Sequence, residues 1–393
     1  MPSRTNEFRV ALLLPMEIGY GRGVMQGVGQ YVSQANRDDQ HASWRIYRSE
    51  PRVDVLPLMR KWKPDGVIAH IASIELSRTL ARFKRPVVNT TSTITSWNGP
   101  LVEVDHGEIG ELAAEHFLSR GFRSYGYVGS KWAGFSIARE AAFRSQIEVA
   151  GYEVSTCHLD YLPSPPTDQA WNHVDAKLVK WIRKLELPCA VLASNDRPAR
   201  ELADACQSLG LEVPSDIAIL GVDDDEYECF LGAPPISSIV NPSEAIGRAA
   251  CVLLTELMQK GTARNLRQTL APSRVVVRQS SDAYAVDDPH LHQALEIIRR
   301  DATKGLTPAM IHKQLDCSRR SLERRFRALL GHSMLEEIRR VRLRYAHQLL
   351  LETRLPIERI ADMVGFSHPR TFSTMFRKRF GQSPTEVRRR GDV

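Results

Sequence analysis

The chain has 393 residues, 53 of them Lys or Arg and 46 Asp or Glu, for a formal net charge of +7; that length excludes a single ordinary core and asks for two or three domains. The charge is lopsided, because residues 290–393 hold 22 basic and 11 acidic side chains for +11, leaving 31 basic and 35 acidic, or −4, in the rest. Only the C-terminal part is therefore built to meet phosphate, and its bland alternative is a solvated basic helical face.

Near the N-terminus the only apolar run, 10–14, is too short for a secretion signal or a membrane span and reads as a buried strand. From there to about residue 282, short apolar runs at 66–70, 87–89, 101–104, 125–128, 190–193 and 217–222 alternate with amphipathic stretches at 23–34, 108–119, 139–149 and 200–209. This alternation predicts an α/β domain of βαβ units, and the length suggests two parallel sheets covered by helices. Cys157, Cys189, Cys206, Cys229, Cys251 and Cys317 are scattered without zinc or redox spacing; they fit a reducing cytoplasm and no membrane partner. No phosphate-cradling glycine loop, nucleophile elbow or metal-ligand pair on a helix argues for an enzyme. No cofactor is expected.

Particular stretches of this region carry a resemblance. Val104-Asp105 is followed by Gly110, Ala113-Ala114, His116-Phe117 and Gly121; later come Ala193-Ser194-Asn195-Asp196, Val213-Pro214-Ser215-Asp216, Leu220-Gly221-Val222-Asp223-Asp224 and Pro235 to Ile239 with Gly247. They resemble the sugar-responsive core of LacI/GalR repressors, which is built like periplasmic sugar-binding proteins, over about 270 residues. The resemblance implies two parallel-sheet lobes with a ligand in the cleft between them, and pairing into a homodimer. Ligands of such sheets sit beyond the carboxyl ends of strands. Asp105, Asn195 and Asp223 each follow a strand and are expected to point into one crevice, where short acids and amides bond adjacent hydroxyls. Arg139 matches the family's ligand-binding arginine, and Arg22 after the first strand is a second candidate. Asp196 either joins this set or caps the helix that follows, as does Asp225. Trp97 and Trp132 are candidates for an aromatic wall. The acidic run from Asp223 to Glu226 and the pair His290-x-His292 read as a loop tip and a junction, not as metal sites.

The last strand of this part falls at 275–277, and the polar run 279–289 marks a boundary, so that 1–282 is the expected sensor, 283–289 a linker and 290–393 a second domain. Beyond it every pattern is helical, at 290–304, 308–315, 318–330, 334–352, 356–364, 369–380 and 386–390. Pro308 and Pro356 begin helices well, while Gly305, Gly331, Gly365 and Gly381 mark ends. One text occurs twice: Leu322, Phe326, Arg327, Gly331 and Ser333 return fifty residues on as Phe372, Phe376, Arg377, Gly381 and Ser383. Each copy follows a short helix across a tight turn, giving helix-turn-helix units at 308–330 and 356–380. The helix 334–352, at about 1.5 Å per residue, spans roughly 28 Å. That suits two reading helices in successive major grooves, roughly 34 Å apart.

Ile360-Ala361, Gly365-Phe366, Phe372, Phe376-Arg377, Gly381, Ser383-Pro384 and Arg388 closely resemble the AraC/XylS family of transcription regulators, over the last hundred residues. Met334 departs from the proline common at that place, and Val387 from an aromatic; both look like packing sites. The outward N-terminal positions are expected to read bases: Arg320, Glu323 and Arg324 in the first reading helix, His368, Arg370, Ser373 and Thr374 in the second. Arg319, Arg327, Arg377, Lys378 and Arg379 are expected at phosphates or in water. A LacI-like sensor joined to an AraC-type double helix-turn-helix is most similar to regulators of xylose operons. The resemblance implies a double-stranded DNA operator, a pentose effector such as xylose, and RNA polymerase as a candidate partner. A non-sugar small ligand remains the alternative effector, since a cleft fold does not fix chemistry.

Overall fold

The computed structural model describes residues 7–35, 43–159, 175–285, 288–380 and 382–391. The chain divides into a unit ending at Ala283 and another beginning at Tyr284.

The first unit opens with β1 (Phe8–Leu13), α1 (Gly19–Ala35), β2 (Trp44–Ser49), α2 (Leu56–Trp62), β3 (Gly66–Ala69), α3 (Ile74–Ala81), β4 (Val87–Asn89) and β5 (Leu101–Val104). It continues through α4 (His106–Leu118), β6 (Ser124–Gly129), α5 (Gly134–Val149), β7 (Val154–His158), α6 (Ala176–Ile182), β8 (Cys189–Ala193), α7 (Asp196–Ser208), β9 (Ile217–Val222), α8 (Glu226–Phe230) and β10 (Ser237–Ile239). Last come α9 (Ser243–Lys260), β11 (Arg267–Leu270) and β12 (Val275–Val276).

These strands form the two sheets that the alternation predicts, with orders β11-β5-β4-β3-β1-β2 and β12-β10-β9-β8-β6-β7. Among the described residues every pairing is parallel except β10 with β12. β3, β8 and β9 are buried along their whole length because helices cover both faces, so they read as unbroken apolar runs. β2 and β11 lie at sheet edges and are largely exposed or half-buried, which hides them from a search for apolar runs. Each sheet is the centre of one lobe. Since α4 packs on α5 while α9 packs on α1 and β5, the chain crosses between lobes three times: at Asp105, at residues 240–242 and at residues 271–274.

The second unit is helical among its described residues: α10 (Pro289–Asp301), α11 (Pro308–His312), α12 (Arg319–Leu330), α13 (Met334–Glu352), α14 (Ile357–Met363), α15 (Pro369–Phe380) and α16 (Pro384–Gly391). Its boundaries are set by caps. Thr307 accepts from the Met310 amide, Ser318 from that of Ser321, and Gly331 ends α12 at φ 73°. Ser333 and Glu336 exchange bonds in a capping box, and Ser383 with Glu386 repeats that exchange at the start of α16. The repeat thus extends to a glutamate three residues past each serine. Gly381 lies outside the described residues. Two apolar cores result: Leu322, Phe326, Met334 and Ile338 with α10 in one, Leu343, Phe372, Phe376 and Val387 in the other. The expected inward residues Leu322, Phe326, Phe372 and Phe376 are fully buried, and the two departing positions, Met334 and Val387, are buried as well.

Candidate functional site

Between the two lobes, at the carboxyl ends of their strands, lies a cavity whose free space, open mouth included, comes to about 910 Å³. Its first-lobe wall carries Gly19 and Tyr20 from the start of α1, His70 beyond β3, Thr90, Thr91 and Thr93 beyond β4, and Glu103 from β5. Its second-lobe wall carries His106, Phe135 and Arg139, the start of α7 from Asn195 to Pro198, and Asp223 and Asp225 beyond β9; Asn241 enters from a crossover.

Arg139 is the centre of this wall. Its side chain is 3% exposed. The guanidinium donates to the Ser194 carbonyl and, at 3.3 Å, to His106 Nδ1, and lies 3.8 Å from Asp223 Oδ1 and over the Phe135 ring. Asp223 also accepts from Asn195 Nδ2 at 2.9 Å and from Asn241 Nδ2 at 3.0 Å. Asp223 and Asp224 hold φ of 108° and 55°, a backbone cost of order 1–3 kcal/mol each for residues with a Cβ. The loop is pinned by those amides, by Ser238 on the Asp224 amide, by Arg278 on the Asp224 carboxylate and by Asp196 on the Asp225 amide. Asp196 is buried, and burial followed by the charge of Asp223 pushes its carboxyl well above the usual range.

On the opposite side, Glu103 Oε2 lies 3.1 Å from His106 Nε2, which in turn is 3.0 Å from the Ser92 hydroxyl. Burial alone would raise the Glu103 pKa, but hydrogen bonds from His106 and Ser92 outweigh it and hold the carboxylate below its ordinary value. Burial keeps His106 neutral against that partner, and Arg139 adds to the effect. Tyr20 donates to the Thr90 carbonyl and packs against His70, whose pKa burial lowers to about 4. His70 Nδ1 and Asn241 Oδ1 are buried without a hydrogen-bond partner among the described residues. Buried polar atoms without partners in a cavity wall cost free energy until a ligand group meets them. A wall of carboxylates, amides and neutral imidazoles suits a neutral ligand rich in hydroxyl groups better than an anion.

Of the residues expected at the cleft, Arg139, Asn195, Asp196 and Asp223 come together there. Asp105 does not. It is the crossover residue, and its Oδ1 accepts from the amides of Gly107 and Glu108, capping α4; free first-turn amides capture a short carboxylate placed before them. Arg22 also lies outside the wall. It bridges the lobes, bonding Asp225 Oδ1 at 2.8 Å beside the bond from the Gly19 amide to Asp225 Oδ2 at 2.6 Å. Asp225 caps α8, whereas Asp196 is the first residue of α7 and turns to Ser238 and the Asp225 amide instead. Trp97 is buried in the first-lobe core and Trp132 is exposed; Tyr20 and Phe135 are the aromatic walls in their place. Sequence reading missed Glu103, His106, His70 and Asn241, although His70 and Asn241 follow strands, the same signal that located Asn195 and Asp223.

In the second unit the two helix-turn-helix pairs are α11 with α12 and α14 with α15. Arg319, Arg320, Arg324 and Arg327 are exposed on α12, and Glu323 is half-buried. On and before α15, His368, Arg370, Thr374, Arg377 and Lys378 are exposed and Ser373 is half-buried. Thr374 bonds the Arg370 carbonyl. None of the basic residues in these two sets has an ion-pair partner among the described residues, whereas Arg325 of the same helix is tied at 2.6 Å to Asp288 and belongs to the scaffold.

Three family models match the chain: "XylR N-terminal domain" over residues 9–99, "Periplasmic binding protein-like domain" over 114–281 and "Helix-turn-helix domain" over 311–390. The chain is 28% identical over 391 residues to the xylose operon regulatory protein of Escherichia coli strain K12, covering 98% of this chain and 97% of that one. It superposes on a solved xylose-binding transcription activator with a TM-score of 0.68 and 27% identity, over 98% of both chains. The regulator CcpA of Lactococcus lactis shares the fold of 71% of this chain, at a TM-score of 0.57 and 19% identity.

Proposed function

We infer that this chain, a xylose-operon-regulator-like DNA-binding transcription regulator and not an enzyme, takes xylose or a closely similar pentose in the cleft between its two lobes. The observation that carries this reading is the wall around Arg139. There Asp223, Asn195, Asn241 and Glu103 offer polar groups from both lobes, and two buried polar atoms lack partners among the described residues. A pentose bridging these groups favours the arrangement in which Arg22 and the Gly19 amide grip Asp225 across the lobes. It shifts the balance only by its difference in affinity for the closed and open arrangements. The operator is then read by Arg320, Glu323, Arg324, His368, Arg370, Ser373 and Thr374, with Arg319, Arg377 and Lys378 on phosphates.

Calorimetric titration with xylose, arabinose, ribose and glucose tests the first half. Binding of xylose ahead of the others is expected, and heat from none of them would sink the sugar reading. An operator affinity that xylose leaves unchanged would sink the switch.

The regulator is proposed to act as a homodimer in the cytoplasm, where its operator is. Tyr227, Phe230 and Leu231, on and just after α8, present adjacent exposed apolar side chains that a second copy would cover. Sedimentation of the wild type against Leu231→Asp tests this, and a wild-type monomer at micromolar concentration argues against it. Transcription in vitro with xylose tests RNA polymerase as a partner: stimulation marks a productive contact, and pure repression excludes one.

A further inference from the structure

The helix α13 passes from one apolar core to the other without either core continuing into the next. Met334 and Ile338 belong to the first, Leu343, Ala346, Leu349 and Leu350 to the second. Two cores joined by one helix leave a bend or roll between the helix-turn-helix pairs that apolar packing alone resists only weakly. At the changeover stands Arg342. Its Nε donates to the Ala302 carbonyl at 2.7 Å, its Nη2 to the Leu306 carbonyl at 3.0 Å and its Nη1 to the Gly365 carbonyl at 2.9 Å. Ala302 closes α10 and Leu306 enters the first helix-turn-helix, while Gly365 is the turn of the second. No carboxylate neutralises this guanidinium among the described residues. Burial, and then the neighbouring Arg339, push its pKa below the ordinary arginine value. The turn is shaped around it: Gly365 has φ +83°, and a Cβ there would lie 3.1 Å from Arg342 Cζ.

We propose that Arg342 is a positioning residue for DNA reading, a three-carbonyl clasp that fixes the rotational phase of the two reading helices and so makes the regulator measure the spacing between its two half-sites. The three carbonyls meet three different nitrogens of one planar fork, whereas the three donors of a lysine radiate from a single nitrogen and cannot reproduce that spread. An inserted base pair turns one half-site by about 34° and moves it about 3.4 Å relative to the other. A clasped pair cannot follow that change; an unclasped pair bends at residues 339–342 and can.

The inference rests on the DNA-binding reading, and its test separates the two. The full-length wild-type chain is used to select a duplex from random-sequence DNA, and single base pairs are then inserted or deleted between the half-sites. The wild type is expected to lose at least about tenfold in affinity per step, and Arg342→Ala less than about threefold, from a weaker starting value. Arg342→Lys, which keeps the charge and the helix, is expected to behave like alanine in spacing while melting close to the wild type. It carries the test should the alanine chain fail to fold. If both variants keep the wild-type spacing penalty and lose only melting temperature, Arg342 is a plain structural residue and the proposal fails. If the wild type selects no sequence, the reading beneath it fails instead.

Discussion

The cleft and the reading helices are both rich in charge, and they hold it in opposite ways. In the cleft nearly every charged group is already engaged: Arg139 with Ser194, His106 and Asp223, Glu103 with His106, Asp225 with Arg22. On α12 and α15 the arginines named for reading are exposed and paired with nothing among the described residues. A neutral ligand must be recognised by groups whose position is fixed beforehand, because each of its hydrogen bonds is worth little net and is repaid only if no ordering is left to do. A polyanion is different. It supplies the counter-charge itself, and cations that are unpaired beforehand give up no partner on binding. The same residue type, arginine, is thus a structural donor in one region and a free cation in the other.

Four measurements break or sharpen this contrast. The largest effect is expected from Arg139→Ala, which takes the guanidinium away from Asp223 and opens the centre of the cleft wall. Xylose affinity should fall at least about 100-fold with DNA affinity in the absence of sugar unchanged, and a loss below tenfold by calorimetry would show that Arg139 only scaffolds. Next comes acid. Burial lowers the His70 pKa from 6.5 to about 4, so the folded sensor binds fewer protons than the unfolded chain. Stability is then full above the ordinary histidine value and declines as pH falls from there toward 4, by about 2–3 kcal/mol. Urea unfolding at pH 7 and pH 4.5 should show a smaller drop for His70→Gln, and equal drops would remove His70 from the account.

On the exposed side, Arg370→Ala should cost about 1–3 kcal/mol and relax preference at one base pair. Lys378→Ala should weaken all sequences alike and lower the salt slope by about one. Swapped behaviour in a selection assay would move Arg370 to the phosphates. The smallest effect separates a cap from a ligand. Asp105→Ala should lower stability by about 1 kcal/mol while leaving xylose affinity within about threefold of the wild type. A larger loss of affinity would put its carboxylate back in the site.

The helical unit was almost wholly legible, because its boundaries are chemical marks on neighbouring residues: Thr307 before Pro308, Ser333 before Glu336, Gly331 at the end of α12. Central strands were legible for a similar local reason. β2, whose Arg45, Ile46 and Arg48 are exposed at the margin of its sheet, was not, since the covering helices shield an edge strand less than a central one. Within the site, Asn195 and Asp223 were found by following strands to their ends. His70 is hidden at the end of the apolar run 66–70, one residue past the strand's end at Ala69, and Asn241 follows a strand of only three residues, two of them serines.

The amino-acid order by itself determined which segments become helices and buried strands, the duplicated reading scaffold and its basic face, since periodicity, caps and charge act over a few neighbouring residues. Only the tertiary structure decided which side chains share the cleft. Arg22 and Asp225 meet across 203 residues, Asp105 is turned from ligand to cap by amides two and three residues on, and three crossovers set the two walls facing each other. Convergence of that kind is fixed by long-range packing, which no short stretch of sequence encodes.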